Sequence, residues 1–265
     1  MGMKAWADVS GEAVSLAGGG CAILLQVANP SVGYGVAQHS SFADDPMKRL
    51  RGTLTYVYAL SGGSSEEIAA VAKIVNDAHE RVSGTTPDGR GFTAFDPELQ
   101  LWVAATMYYS ASRVNEIMFG KLDEETAEAI YQEYGLLGSV LQMPAELWPK
   151  NRSAFWEYFD NAVEELTLDD TTRGLAEQMF TSKRLPVYLR VFMPLGRFVT
   201  LGLLPERVRS MYGYDWSDKS EKRYLKMWNV LRIVYKFIPK KLRGYPKRYY
   251  LGKLRNRMKG SYGNG

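Results

Sequence analysis

The sequence predicts an all-α protein with a single helical domain, and three observations support this fold class. Apolar residues recur at three- and four-residue spacing along most of the 265-residue chain, whereas no alternating strand pattern extends beyond a few residues. Two segments start with a capping side chain followed by proline, at Asp45-Pro46 and Asp96-Pro97. A chain of this length also buries about three-quarters of its unfolded surface, which is enough for a core without disulfides.

Start and stop signals divide the chain into helices. The first predicted helix ends at Asn29-Pro30, because proline lacks a backbone donor and restricts the residue before it. Ser64 or Ser65 caps the third helix, which has acidic residues in its first turn. Gly213 is expected to be a C-cap near the end of the last predicted short helix. The predicted helices cover 11–28, 45–60 and 64–84, others begin at Asp96, Asp123, Ser153, Asp169 and Pro205, and a glycine-rich loop covers 84–93.

Charge is distributed unevenly, although the net charge is only +4. Residues 216–265 contain fifteen Lys or Arg and two acidic residues, a net charge of +13, so residues 1–215 carry −9. We favour a solvated basic face of a terminal helix. The alternatives are a contact with an anionic membrane and, least favoured, with nucleic acid. The side chains expected to bury one face of this helix are Leu225, Trp228, Leu231, Val234 and Ile238.

These patterns predict a helical domain over residues 1–238 and a basic, partly disordered tail over 239–265. The helical periodicity loosens after Pro239, and the last six residues are glycine-rich. The longest apolar run near the start is too short to span a bilayer, and no signal peptide precedes it. We therefore expect a cytoplasmic protein, with a membrane-peripheral location as the alternative.

The small numbers of cysteine and histidine exclude several kinds of site. A single cysteine, Cys21, excludes a disulfide framework, as well as thiolate zinc and iron–sulfur sites held by this chain alone. Cys21 is not expected to ligate iron, because it lies in an apolar helix with no nearby cation to lower its pKa. The chain contains no G-x-S-x-G, P-loop or dinucleotide motif, which removes the common nucleotide enzymes. Any imidazole chemistry must use His39 or His79.

His79 lies on the apolar stripe of its predicted helix. It is either a satisfied core residue or, as a neutral imidazole, an axial haem ligand. Arg49 and Thr53 stand four residues apart on the preceding helix and therefore share a face. Arg49 could hold a propionate or stabilise charge on oxygen, and Thr53 could donate a hydrogen bond; the alternative is a plain helix surface. His39, in the segment before that helix, is a distal base, a second ligand or a helix-start residue.

Five short motifs occur in a characteristic order. They are LLQVANPSV at 24–32, GVAQHSSF at 35–42, DPMKRLRGT at 45–53, HERVSG at 79–84 and DPELQLWV at 96–103. This order resembles the MpaB-type oxygenases, which share their catalytic domain with rubber oxygenase (latex-clearing protein), and it covers about 18–238. The resemblance implies a globin-like helical fold that binds haem b, with His79 as the axial ligand and Arg49 and Thr53 on the haem-proximal helix. It also implies oxidative cleavage of prenyl-type carbon–carbon double bonds.

Two positions depart from the pattern of the resembling family. Ala104 stands where relatives often carry a second histidine, which implies one imidazole on iron instead of two. Gly52 stands where the rubber-cleaving enzymes carry a distal lysine, so cleavage of the polymer by the same pocket is not expected. The open second side of the iron would leave a position for chemistry.

The sequence therefore predicts a haem b-dependent oxygenase that uses O2 or peroxide on a hydrophobic small molecule, either a terpenoid or a lipid. The predicted residues are His79 as metal ligand, Arg49 and Thr53 as catalytic and cofactor-binding side chains, Trp102 as a further cofactor contact, His39 as a distal side chain, and Leu24, Val57 and Met107 as apolar shielding. One alternative is a haem-binding or membrane-surface protein without turnover. A weaker alternative is a non-haem iron enzyme that uses His39, His79 and Asp44 or Asp45.

Overall fold

Helices dominate the computed structural model, which describes residues 3–39, 46–182 and 184–262. The all-α prediction is confirmed, and the only strands in the described part are a short antiparallel pair in which Ser83 faces Thr93. The elements are α1 (Trp6–Gly11), α2 (Gly19–Ala28), α3 (Pro30–His39), α4 (Pro46–Leu60), α5 (Ser65–His79), β1 (Ser83–Thr85), β2 (Gly91–Thr93), α6 (Pro97–Phe119), α7 (Glu124–Tyr134), α8 (Leu136–Ser139), α9 (Arg152–Glu165), α10 (Asp170–Thr181), α11 (Val187–Leu203), α12 (Glu206–Met211), α13 (Asp218–Phe237), α14 (Lys240–Arg243) and α15 (Tyr245–Tyr262), with 3₁₀ turns at Ala13–Gly18 and Ala145–Leu147.

Side-chain caps begin most of the helices that the sequence predicts. The Ser64 hydroxyl accepts from the backbone of Glu67, and Glu67 accepts in return from the Ser64 backbone, which completes a capping box at the start of α5. Asp96, Asp123 and Asp169 accept backbone hydrogen bonds at the starts of α6, α7 and α10. The predicted cap Asp45 lies outside the described residues.

Several elements differ from the sequence prediction. The predicted helix over 11–28 is divided into the 3₁₀ turn Ala13–Gly18 and α2, and the helix predicted over 64–84 ends at His79. The chain resumes a helix, α3, directly after the predicted stop, because proline is tolerated in a first helical turn. A Cβ at Gly33 would lie 2.5 Å from Thr172 of α10, so this glycine lets α3 approach α10 closely. The apolar helix α11 has no strong start signal and contains Pro194, and it is missing from the prediction. The predicted loop over 84–93 contains the β1–β2 hairpin.

The core forms around α6, which packs along α2. Ala104 and Ala105 are buried on α6, and their small side chains permit this close contact. Buried polar groups are paired across it, since Gln26 donates to the Thr106 hydroxyl at 3.1 Å. On its other side α6 joins an aromatic cluster with α7 and α9, whose rings belong to Tyr108, Tyr131, Tyr134, Trp148, Phe155 and Phe159.

The basic C-terminal region is helical and partly built into the core. The expected buried stripe of α13 is wrong at two positions, because Leu225 and Val234 are 53% and 51% exposed. Trp228 is buried as expected, and Tyr224 and Tyr235 complete the buried face of the helix. Beyond residue 239, α15 packs on α1 and α4 and buries Leu251 and Leu254, so the core includes residues on both sides of the division predicted at 238.

Two contacts fasten α15 to the rest of the chain. Lys247 reaches inward and donates to the backbone oxygens of Ala7 and Ser61, both at 3.1 Å. Arg255 donates to Glu67 at 2.6 Å, which ties the start of α5 to α15. Among the described residues, no single helix is both long enough and apolar enough to cross a membrane.

The Glu67–Arg255 pair predicts a loss of stability in acid. The Arg255 hydrogen bond holds the pKa of Glu67 below its ordinary value of 4.5, despite burial of the carboxylate. The pair therefore contributes its stability above pH 4.5 and loses it as the pH falls through the lowered pKa. Glu67→Gln keeps the capping box but removes the charge, and we expect a loss of about 1 kcal/mol in the free energy of unfolding at neutral pH.

Urea unfolding at a series of pH values measures this effect. The difference between the wild type and Glu67→Gln should shrink as the pH falls below 4.5, and it should vanish once the carboxyl group of Glu67 is protonated in the folded protein. Asp77→Asn is the control, because its pair with Lys73 on the same helix is exposed. An equal effect of the two substitutions would contradict the prediction.

Candidate functional site

The helical hairpin of α4 and α5 brings the two main predicted residues to one end of the molecule. Arg49 lies in the first turn of α4 and His79 is the last residue of α5. The two helices pack against each other and are joined by only four residues, 61–64, so the start of α4 lies beside the end of α5. The charge of Arg49 acts directly on the His79 ring.

His79 is partly buried and unusual in its surroundings. Its Nδ1 atom is enclosed by protein and has no hydrogen-bond partner among the described residues. Burial lowers the pKa of His79 below its ordinary value of 6.5, and the positive charge of Arg49 lowers this pKa further. The ring of Phe95 meets the imidazole edge-on at 6.4 Å between centroids. The fold therefore holds a neutral imidazole, the protonation state that binds metals.

Arg49 supplies positive charge beside this neutral ring. Burial lowers the pKa of the Arg49 guanidinium, although a guanidinium keeps its charge at all ordinary pH values. A cation that is removed from water interacts more strongly with an anion than a solvated one does. The end of the α4–α5 hairpin thus combines a neutral nitrogen donor with a partly desolvated cation.

Thr53 lies one helical turn after Arg49 and is exposed. Gly52, between them in sequence, is also exposed, and a Cβ at this position would meet no atom of the described residues within 4 Å. Arg49, Gly52 and Thr53 share one face of α4, on which Arg49 is partly buried and the other two residues are exposed.

His39 is tied to the same end of the structure through the β-hairpin. It is the last residue of α3 and its side chain is exposed. Its Nε2 atom donates to the carbonyl of Ser83 at 2.7 Å, and Ser83 follows His79 by four residues. The prediction of His39 as a distal side chain stays a prediction.

A chain of partly buried amides joins the end of α5 to α6, and sequence reasoning missed it. Gln142 donates from its side chain to Asn76 at 2.9 Å and from its backbone to Gln100 at 3.0 Å. Gln100 donates back to Gln142 at 2.6 Å and to the Ala94 carbonyl at 2.9 Å, next to Phe95. The only sequence signal is a glutamine within the apolar segment of α6, and its partner is 42 residues away.

Trp102 lies inside the core of the protein. Its indole donates to the Leu25 carbonyl at 3.2 Å and its ring stacks on Phe159 at 5.8 Å between centroids. Leu24 is fully buried, whereas Val57 and Met107 are partly buried. No contact among those described joins Trp102 to His79. Its role as a cofactor contact remains a prediction.

Two other elements of the prediction concern metal ligands. Burial raises the pKa of Cys21 to about 12, so this thiol stays protonated and does not act as a thiolate. In the described ranges, no group of three or more His, Cys, Asp or Glu side chains could hold a metal ion. Asp44 and Asp45, the carboxylates of the non-haem alternative, lie outside those ranges.

Two cavities of the described structure lie away from this site. One of about 340 Å³ opens between α6, α7 and α9 and is lined by Tyr108, Asn115 and Arg152 among others. Another, of about 250 Å³, lies between Tyr34 and Asp169. Neither is lined by Arg49 or His79.

Comparison with known proteins decides the family. The family model for the "ER-bound oxygenase mpaB/B'/Rubber oxygenase, catalytic domain" matches residues 6–233. This chain belongs to the MpaB/rubber oxygenase family. Residues 6–233 therefore correspond to the catalytic domain of this oxygenase family, and the matched region contains α4, α5 and the His79 site.

Two curated relatives are similar over nearly their whole length. They are the uncharacterized proteins Rv2237 of Mycobacterium tuberculosis and Mb2261 of Mycobacterium bovis. Each is 34% identical to this MpaB-family chain over 246 residues, which is 89% of this chain and 95% of the relative. No solved structure gives a significant match.

The amide chain predicts a measurable loss of stability when it is broken. Gln100→Leu keeps the side-chain volume but leaves the Gln142 backbone N–H and the Ala94 carbonyl without this partner, so we expect a loss of about 2 kcal/mol in the free energy of unfolding. Gln132→Leu is the control, because Gln132 is exposed and its bonds are on the surface. Urea unfolding of both variants measures the two losses. Equal losses would show that the amide chain contributes no more to the free energy of unfolding than hydrogen bonds on the surface do.

Proposed function

We propose that this protein is a haem b-dependent oxygenase with His79 as the axial iron ligand. The observation that carries the proposal is the His79 ring, which is partly buried and has an enclosed nitrogen without a hydrogen-bond partner in the described structure. Leaving such an atom unpaired costs about 1–3 kcal/mol, so its retention calls for a functional explanation. The lowered pKa of His79 keeps the ring neutral, as coordination requires.

The residues around His79 suit an anionic, flat and largely apolar cofactor. Phe95 presents its ring edge-on to the imidazole, and the amide chain holds the end of α5 through the bond between Gln142 and Asn76. Arg49 provides a partly desolvated cation that matches a propionate carboxylate. When bound, haem would supply the redox chemistry and the binding of O2 or peroxide.

The protein side chains would contribute electrostatic stabilisation and orientation. Arg49 is suited to stabilise negative charge that develops on oxygen, or to hold the propionate. Thr53, one turn along the same helix, is suited to donate a hydrogen bond from its hydroxyl. Leu54 and Val57, which follow on α4 and are partly buried, continue this region as an apolar surface.

The substrate that we propose is a hydrophobic small molecule, a terpenoid or a lipid with a carbon–carbon double bond. Addition of both atoms of O2 across the cleaved bond gives two carbonyl groups and needs no external reductant. The chain belongs to a family of oxygenases, which supports the general reaction class. Gly52 stands where the rubber-cleaving enzymes carry a distal lysine, which argues against cleavage of the rubber polymer by the same pocket. The alternative, a haem-binding protein without turnover, would bind hemin but consume no O2.

The absorption spectrum of the purified or hemin-reconstituted protein tests the ligand. We expect a Soret band in the wild type and a hemin affinity at least about 100-fold weaker in His79→Gly, because the iron loses its protein ligand. Added imidazole should restore the band by filling the space of the missing ring. His39→Ala is the matched control and should keep the band. Failure of the wild type to take up hemin, or an unchanged spectrum of His79→Gly, would contradict the proposal.

O2 uptake with a panel of terpenoid and lipid alkenes tests the reaction, with carbonyl products measured in parallel. At equal hemin content we expect Arg49→Gln to be slower by about 100-fold, because it loses a charged partner for the developing charge, and Thr53→Val by about tenfold. Arg51→Gln is the control, since Arg51 is an exposed cation on the same helix. Hemin binding without uptake of O2 by any alkene would favour the non-catalytic alternative.

A further inference from the structure

The helix α13 has two faces that differ in their relation to the fold. Tyr224, Trp228 and Tyr235 are buried and anchor the helix to the protein. On the opposite face, Ile233 and Phe237 lie one turn apart and are 61% and 82% exposed. An apolar exposed face of this kind contributes nothing to the packing of the described chain and indicates an interaction site.

Further exposed apolar side chains lie near the end of α13 in sequence. Val230, also on the outer side of α13, is 53% exposed, and Leu242 on the following helix α14 is 63% exposed. Lys236 stands next to Phe237, and Lys240 and Lys241 precede Leu242. We call the four exposed side chains Val230, Ile233, Phe237 and Leu242 the apolar tip.

Cations flank the apolar tip in sequence, and no acidic residue lies among them from Lys222 onward. From residue 222 to residue 262 the sequence contains no Asp or Glu. Lys219, Arg223 and Lys226 extend the outer face of α13 toward its start, at helical spacing from Val230. The face therefore combines apolar side chains with positive charge on one surface, which is the pattern of an interfacial helix.

We propose that the apolar tip and its flanking lysines dock the protein on the surface of an anionic lipid bilayer. Lipid headgroups match the positive charge, and the acyl boundary matches the aliphatic side chains. A second copy of the chain would bring like charges together at this face, which is unfavourable. Single-stranded nucleic acid favours aromatic stacking surfaces, whereas three of the four side chains in the apolar tip are aliphatic.

This inference goes beyond the proposed oxygenase function and does not require the cofactor. Hydrophobic substrates concentrate in bilayers, so docking would bring an enzyme of this class to its substrate. Vesicle binding is measured without hemin and without turnover. Its failure would leave the His79 assignment intact, and failure of hemin binding would leave the docking surface intact.

Co-sedimentation of the full chain with vesicles tests the proposal. We expect binding to phosphatidylcholine vesicles that contain about one-third phosphatidylserine, and little binding to pure phosphatidylcholine. Binding should weaken as salt is raised from about 0.05 to 0.5 M, because the lysine contribution is screened. The double variant Ile233→Ser, Phe237→Ser should bind about tenfold more weakly, and both positions are exposed, so folding is preserved.

A matched control separates this surface from other exposed apolar side chains. Ile74→Ser, at a 44% exposed position on α5, should bind vesicles like the wild type. Because Cys21 is buried, a thiol-reactive fluorophore should label Phe237→Cys or Ile74→Cys selectively at the introduced cysteine. Anionic vesicles should shift the emission of the label at position 237 to shorter wavelength and leave the emission of the label at position 74 unchanged.

Three results would overturn the proposal. The first is equal binding to anionic and neutral vesicles, and the second is wild-type binding by the double variant. The third is that the wild type binds no vesicles but forms a dimer in light scattering, or a nucleic-acid complex in a gel shift, and that the double variant does not. Circular dichroism of every variant checks that the helices are retained.

Discussion

The site depends on a neutral imidazole held at the end of a helix whose position is fixed from three sides. The short connection between α4 and α5 places Arg49 beside His79, and the turn after His79 leads into the β-hairpin, where Ala94 donates to the Val82 carbonyl at 2.8 Å. The amide chain through Gln142 joins α5 to α6. Desolvation and a nearby cation then act together, since both disfavour protonation of the ring.

Local signals in the sequence account for much of the fold. Helix caps such as Asp96 and Ser64 are short-range features, and the structure contains both where the sequence predicts a cap. The helix α3 escaped prediction because its glycines serve distant contacts, Gly33 with α10 and Gly35 with Phe92 of β2. The buried face of α13 was misassigned in part, because the rings of Tyr224 and Tyr235 enter the core in place of aliphatic side chains.

The candidate site shows the same division between local and distant information. His79 and Arg49 could be selected from helical periodicity and from the order of family motifs, and the structure brings them together. The amide chain could not be predicted, because Gln100 and Gln142 acquire meaning only when α6 and the segment after α8 meet. The charge asymmetry was visible in the sequence, but only the fold shows which side of α13 faces outward. The proposed haem site lies on α4 and α5, whereas the proposed docking surface lies mainly on α13.

The most direct test of the account is pulsed EPR of the ferric hemin-loaded protein with ¹⁵N-labelled histidine. The chain contains only two histidines, and His39→Ala leaves His79 as the single labelled side chain. Our account predicts a strong hyperfine coupling from one imidazole nitrogen in the wild type, an unchanged coupling in His39→Ala and none in His79→Gly. A coupling that persists in His79→Gly, or its absence from the wild type, would contradict the assignment of His79 as the iron ligand.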